Sequence, residues 1–411
     1  MKILYLNKLI IIILSVFIIF LLMILFFFVF KNTINENQSI IYDKETNAIQ
    51  KNSTQVNQIK QNFIISTDQN SSTQEVIDWN SSNSSLVQAP KIEEKKVVIP
   101  QSVIVKKPPQ ISGWIAWWRE EEGLDVANKY SEKIYSISPG WFNLNNNGVL
   151  EEIGGKNKAS TASSTKDLAI KLYPMLVTDL SDKELSTFIK KDDWLNDFAD
   201  QLIVKLKKYE ADGLDLDFEN IGKNYSSEFS LLIKTLSKKL KKNNLKFSVA
   251  IQAQDGINDW SGLEGQDLDV IGQYVDEARI MIYDNHTKTT KPGPISPANW
   301  FENVIKFNLQ YIPLEKISVG LPTYGYIWID RGEFLSFQYN DFLNYTKKNN
   351  FSYERDPESF ELLYKNKNST GWLSDSEAVI QKIKIAEKYG LNKFIIWNLS
   401  GTDEKLFEKE W

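Results

Sequence analysis

The stretch Asp212-Gly213-Leu214-Asp215-Leu216-Asp217-Phe218-Glu219 decides how this chain is read. In an extended segment successive side chains point to opposite faces, so Asp215, Asp217 and Glu219 share one face while Leu214, Leu216 and Phe218 share the other. The apolar row suits burial beneath helices. The acidic row then points inward, where ordinary packing places Val or Ile. Same-face residues lie about 6.6 Å apart along a strand, and burial disfavours their charged forms. Such an array is expected to hold at least one proton near neutral pH, as a general acid must. A solvated edge strand is the plain alternative, and its apolar flanks speak against it. An Asp-x-Asp metal site is a second. A calcium loop fails because the sixth position counted from Asp215 is Asn220 where Gly is needed.

Around this stretch, short apolar runs alternate with helical patterns, the texture of βα units. Candidate strands fall at 111–118, 133–138, 171–177, 213–219, 246–251, 278–283, 316–321 and 393–397. Over 226–242, Phe229, Leu232, Ile233, Leu236 and Leu240 recur at helical spacing and form one apolar stripe. Eight strands with helices between them predict an α/β chain folded as a (β/α)8 TIM barrel over 111–411. Such a barrel takes about 250 residues, and the surplus of roughly 50 is assigned to a small insertion after the seventh strand. The irregular, aromatic segment 326–371 is its expected place. A doubly wound open sheet is the alternative. Glu219 closes its strand at the carboxyl end, where barrel enzymes carry out their chemistry.

Upstream, Leu9 to Phe30 is apolar apart from Ser15. A membrane-spanning helix needs about 20 such residues, whereas the core of a cleaved leader has about 7–15. No small-residue cleavage site follows, and no cysteine is present to carry a lipid. Residues 1–30 are therefore expected to form a cytoplasmic stub and a transmembrane anchor. Lys2 and Lys8 precede the run while Glu36, Asp43 and Glu45 follow it, which places the remainder outside the cytoplasm. Residues 31–110 are rich in Asn, Gln, Ser, Thr and Lys, a composition that reads as a low-complexity, disordered tether. The expected location is the cell membrane, single-pass, with the barrel extracytoplasmic.

Composition narrows the chemistry. The 411 residues carry 53 acidic and 48 basic side chains, a net charge of -5 that offers no field for nucleic acid. With no cysteine and one histidine, His286, thiolate catalysis, disulfides and Cys/His zinc sites are out of reach. His286 is given no role, and neither a metal nor a cofactor is expected. The 12 Trp, 17 Tyr and 22 Phe can fill cores or stack on sugar faces. For Trp114, Trp117, Trp118 and Trp141, near strand ends, both uses stand open.

Asp212 to Glu219 resembles the D-x-x-D-x-D-x-E signature of glycoside hydrolase family 18, the chitinase-type barrels. Met281-Ile282-Tyr283-Asp284 is similar to that family's M-x-Y-D ending of the sixth strand, and Gly320-Leu321-Pro322-Thr323-Tyr324-Gly325 to its G-x-P-x-Y-G ending of the seventh. Trp397 resembles the eighth-strand tryptophan that floors the sugar site. Ser138-Pro139-Gly140-Trp141-Phe142, Asp217-Phe218-Glu219-Asn220 and Gly293-Pro294 resemble motifs of the spore-germination and cell-wall branch, although no LysM wall-binding repeat is recognisable.

The resemblance implies hydrolysis of β-linked N-acetylglucosamine polymers, chitin-like or peptidoglycan, by substrate-assisted retaining catalysis. It implies that Glu219 is the acid, that Asp217 holds the substrate's acetamido N–H, and that Asp215 shares a proton with Asp217. Tyr283 would steady the acetamido carbonyl. Asp284, Trp397, Met281, Trp141 and Tyr324 complete the implied sugar-binding set, Tyr324 chiefly by shaping the seventh-strand turn. The implied partners are a polysaccharide and, through the amino-terminal helix, the membrane; a monomer is expected. A lectin-like barrel that binds sugar without turnover is the alternative. A metal-dependent glycosyltransferase lacks a nucleotide-binding motif to support it.

Overall fold

The computed structural model describes residues 107–155, 157–191, 193–257 and 264–409. The expected anchor and nearly all of the expected tether lie outside the described residues, and no described helix is long and apolar enough to cross a membrane.

Eight parallel strands close into a barrel. They are β1 (Gln110–Ile115), β2 (Ile134–Leu144), β3 (Met175–Thr178), β4 (Gly213–Leu216), β5 (Lys246–Gln252), β6 (Glu277–Met281), β7 (Ile317–Pro322) and β8 (Lys393–Trp397). Each pairs with its sequence neighbour, and β8 returns to β1 through Ser112↔Ile395. All eight expected strands are present, and the open-sheet alternative falls because the edge that it requires is paired. β4 is shorter than expected: it ends at Leu216, and Asp217 to Glu219 follow outside the strand, the Asp217 N–H still donating to the Leu176 carbonyl of β3 at 2.9 Å. β1 likewise stops at Ile115, where Trp117–Arg119 turn into a short 3-10 helix.

Helices cover the outside. Ser226–Lys242 buries Phe229, Leu232, Ile233, Leu236 and Leu240, the stripe that its spacing predicts. These residues belong to a continuous outer core that packs strands against helices. The barrel interior holds a separate, smaller cluster of Trp114, Met175, Ala250 and Ile395, against which Val177, Met281, Tyr283 and Trp397 pack. Buried beside it are Ser112, Ser136, Ser138, Ser248 and Ser318, small polar residues where branched apolar ones usually sit.

The segment after β7 is more regular than its sequence suggests. Tyr324–Ile329, Phe334–Gln338, Ser352–Arg355, Leu362–Asn366 and Ser369–Leu373 form a five-stranded antiparallel sheet, crossed by the helix Tyr339–Lys348. Its own core is Ile327, Phe342, Tyr364 and Leu373. The alternation was obscured because aromatic side chains occupy both faces: Tyr364 packs on Phe342 of the helix, while Tyr326 and Trp328 reach Asp284 and Thr287 of a barrel loop. Glu361 ties this insertion to the barrel. Its buried carboxylate accepts the N–H groups of Ile295 (2.7 Å) and Ser296 (2.9 Å) and pairs with the equally buried Lys382 at 2.7 Å.

Removing one member of a buried ion pair strands the other charge, at a cost of about 3–5 kcal/mol. Glu361→Ala is expected to lose stability on that scale in denaturant unfolding, well beyond the effect of the same change at the exposed Glu210.

Candidate active site

The carboxyl ends of the strands open into a cleft of about 720 Å³. Trp114, Asp217, Glu219, Met281, Tyr283, Asp284 and Trp397 line it together with Gln252, Asp255 and Trp300. Every residue of the expected catalytic set reaches this cleft except Asp215, which lies beneath it.

Asp215 is fully buried in β4 and fully bonded. Its Oδ2 accepts the indole N–H of Trp114 (2.7 Å) and a guanidinium N–H of Arg279 (2.8 Å), and its Oδ1 accepts the Ser248 hydroxyl (2.7 Å). Asp215 is thus held in an ion pair with Arg279. Trp114 serves two purposes, floor of the cleft and donor to this carboxylate. Its ring meets Trp397 edge-on at 6.0 Å.

Asp217 stands one step higher on the same face. Its Oδ1 is buried and accepts no hydrogen bond. Burial pushes its carboxyl well above the ordinary range, and Glu219 and then Asp215 add to the push. Glu219 is solvent-exposed on the cleft wall and Asp217 is half-buried beneath it, so the dry pocket expected for all three acids holds fully only for Asp215. Protein crowds the Glu219 carboxyl on its other sides, and this burial, followed by the charge of Asp284, raises its proton affinity. The row thus runs from a paired charge, through an unbonded acid, to an acid open to substrate.

Tyr283 and Asp284 follow the end of β6. Asp284 adopts a left-handed backbone conformation (φ 61°), which an Asp tolerates better than most side chains. Asn285 N–H donates to the Ile295 carbonyl at 3.0 Å, the same segment that Glu361 anchors. The Tyr324 and Tyr326 hydroxyls both donate to Asp284 Oδ1, the latter at 2.7 Å. Burial raises the Asp284 carboxyl, against the two tyrosine donors. Burial also pushes the Tyr283 phenol well up, so it remains an O–H donor.

Two expected sugar contacts lie elsewhere. Trp141 is buried outside the barrel wall, donating its indole N–H to Glu120 at 2.8 Å and meeting the Tyr209 ring at 5.3 Å. The reason is alternation along β2: Trp141 shares the outward face of Ile137, while Ser136 and Ser138 point inward, and the register shift between Gly140 and Phe142 then brings Phe142 outward beside it. Tyr324 is buried behind Asp284, to which its hydroxyl donates, and its ring meets Tyr283 edge-on at 6.1 Å. Trp117 and Trp118 are exposed at the rim, and Trp118 meets Trp397 at 6.4 Å. Arg279, Gln252, Trp300 and Tyr326 were missed. For Arg279 a signal existed: a charge two positions before Met281 and four before Tyr283, on the strand face those residues share.

The chain is thus a closed (β/α)8 barrel whose fourth strand delivers a graded row of acids to an aromatic-floored cleft, and it spans less than two thirds of the length of the curated relatives it matches first. The sequence profile of the glycosyl hydrolases family 18 matches residues 114–402, and the chain belongs to that family. The uncharacterized glycosylase YvbX of Bacillus subtilis is 27% identical over 221 residues, which cover 51% of this chain and 64% of that protein. The spore cortex-lytic enzyme SleL of Bacillus megaterium superposes with a TM-score of 0.65 at 17% identity, over 74% of this chain and 73% of its own. A chitinase from Chromobacterium violaceum superposes with a TM-score of 0.66 at 19% identity, over 73% and 97%. At those identities the structures share the fold.

The raised acids set a stability trend. An acid that binds its proton more tightly when folded stabilises the native state at low pH, and that contribution is lost as pH rises through the raised value. Asp217→Asn, which never ionises, is therefore expected to melt higher than the parent near pH 8. The advantage should vanish near pH 4; a pH series of melting temperatures checks both signs.

Proposed function

We propose that this protein is a retaining glycosidase that cuts β-linked N-acetylglucosamine polymers, with the sugar's own acetamido group as nucleophile. The observation that carries the reading is the separation of roles along one strand. Glu219, proton-rich and open to the cleft, is placed to give a proton. Asp217, one step deeper, keeps a buried oxygen with no partner in the protein.

In the first half-reaction Glu219 gives its proton to the glycosidic oxygen, and the bond from that oxygen to the anomeric carbon breaks. The acetamido carbonyl oxygen forms a new bond to that carbon from the opposite face, closing a positively charged oxazolinium ring. Asp217 accepts the acetamido N–H and faces the developing charge, while the Tyr283 O–H donates to the acetamido carbonyl. In the second half-reaction the Glu219 carboxylate takes a proton from water, whose oxygen opens the ring. Configuration is retained through two inversions, without the second nucleophilic carboxylate that most retaining glycosidases use. Trp397 and Trp114 supply an apolar floor for the sugar ring.

Peptidoglycan is the polymer we favour over chitin. The expected tether, which would hold a wall-facing enzyme at the membrane, supports this. The anchor at Leu9 to Phe30, the extracytoplasmic barrel and a monomeric state are part of the same proposal. Protease added to intact cells should cleave the barrel from a membrane-retained stub; a fully protected chain would overturn the topology.

Release of reducing ends from purified peptidoglycan and from chitooligosaccharides tests the chemistry. General acid–base catalysis contributes about 10²–10⁴ in rate, so Glu219→Gln should lose at least that much while still binding oligosaccharide. Equal turnover by parent and variant would remove the mechanism, and binding without turnover by the parent would leave a lectin-like protein. Fully deacetylated chains lack the internal nucleophile and should not be cut.

A further inference from the structure

The barrel carries a second concavity at the end opposite the cleft. Lys246 opens β5 and lines this trough, while Gln252 closes the same strand and lines the cleft. The trough measures about 1050 Å³ and runs between the helices Ser226–Lys242 and Leu268–Tyr274, up to the turn before β7. Its cations are all lysines: Lys234, Lys238, Lys241, Lys246 and Lys316. Asp276 and Glu315 are the acids that line it. In a chain of net charge -5, positive charge is concentrated here against the prevailing sign.

Ordinary causes account for part of this. Lys246 pairs with Asp276 at 2.8 Å, and Lys316 donates to the carbonyls of Gly272 (2.8 Å) and Gln273 (3.2 Å). Lys241 sits in the last turn of its helix, where a cation suits the helix dipole. Lys234 and Lys238 lie further back. With Lys241 they stand at i, i+4 and i+7 on one helix face, a spacing at which like charges repel and weaken a helix. All three are exposed, and no described carboxylate pairs with them, whereas Lys239 on the neighbouring face pairs with Asp200 at 2.7 Å. An external anion would relieve that repulsion. The walls are tied together: the Ser237 hydroxyl donates to the Tyr274 carbonyl at 2.5 Å, and the Lys234 ammonium stands 5.7 Å from the centre of the Tyr274 ring.

We propose that this trough binds an anionic polymer with phosphodiester repeats, at the end of the barrel opposite the catalytic cleft. The inference goes beyond the glycosidase reading and does not depend on it. Lysine offers a compact charge without the planar fork by which arginine grips a single carboxylate, so a row of lysines reads charge along a chain. At the helical rise, Lys234 to Lys241 span about 10 Å. The path then turns with the backbone at Asn244 (φ 56°) toward Lys246 and crosses to Lys316. A flexible chain with one charge per repeat can follow that bend. A stiff pyranose polymer cannot, and a flat bilayer surface does not enter a groove.

Fluorescence anisotropy of end-labelled poly(glycerol phosphate), with the full chain held in zwitterionic nanodiscs, tests the site. The parent should bind at low salt, with log affinity falling against log salt at a slope of about -2 to -3 for three or four neutralised charges. Lys238→Glu combined with Lys241→Glu should weaken binding at least tenfold and flatten the slope by about 1 for each lysine. Lys347→Glu combined with Lys348→Glu makes the same change in net charge on the exposed helix of the insertion and should leave binding unaltered. No binding by the parent, or equal binding by the trough variant, would overturn the inference. Equal affinity for polyglutamate would make the trough a general anion surface, and sedimentation with anionic vesicles in preference to the polymer would make it a membrane-facing one; either result overturns it. Both variants should melt with the parent and turn over chitooligosaccharides as the parent does. Because binding is read without turnover, a parent that cuts no polymer would leave this test intact.

Discussion

A carboxylate at the dry centre of a barrel has to be answered by a cation, and here Asp215 is answered by Arg279. An isolated buried charge would either take up a proton or destabilise the fold by several kcal/mol. The pair avoids both outcomes because every donor around it is used: a tryptophan from β1, a serine from β2, a serine from β5 and the arginine from β6. The interior is polar at this level and aromatic above it, and the aromatic level is the floor of the cleft. What the cleft can do is therefore set one layer below its surface.

Above that pair the environment of each acid differs, although all three sit on one extended segment. Asp215 is saturated with donors. Asp217 has an oxygen that nothing in the protein satisfies, and Glu219 meets solvent. Equal spacing along the chain is thus converted into unequal proton affinity by what surrounds each position. This is the general route by which one fold runs acid and base chemistry side by side. The insertion contributes from the opposite wall. Tyr324 and Tyr326 hold Asp284, and Glu361 clamps the backbone at Ile295 and Ser296 that returns to Asn285. A segment that looks peripheral in the chain thereby sets the position of an acid whose charge acts on Glu219.

Much of this was legible before any coordinates. The eight strands, the helix over 226–242, and the delivery of Asp217, Glu219, Tyr283, Asp284, Met281 and Trp397 to one cleft follow from local periodicity and short motifs. Three features were not legible. The bulge after Gly140, which puts Trp141 and Phe142 side by side in the outer core, is a change of register against β3, invisible in β2 alone. The antiparallel sheet of the insertion carries aromatics on both faces, so the period-2 pattern that marks a half-buried strand is lost. Arg279 could have been placed inward by its spacing from Met281 and Tyr283, but nothing nearby in the chain names its partner.

Alternation along single segments is a short-range property, so the chain by itself determined which stretches became strands, which side chains faced inward, and that three acids shared a face. Which of those acids would be paired, and by what, was decided only when distant strands met. Asp215 lies 101 residues from Trp114 and 64 from Arg279, and Glu361 lies 66 from Ile295. Proton affinity depends on neighbours within a few ångströms, and at such separations closure of the barrel, not the order of residues, chooses the neighbours.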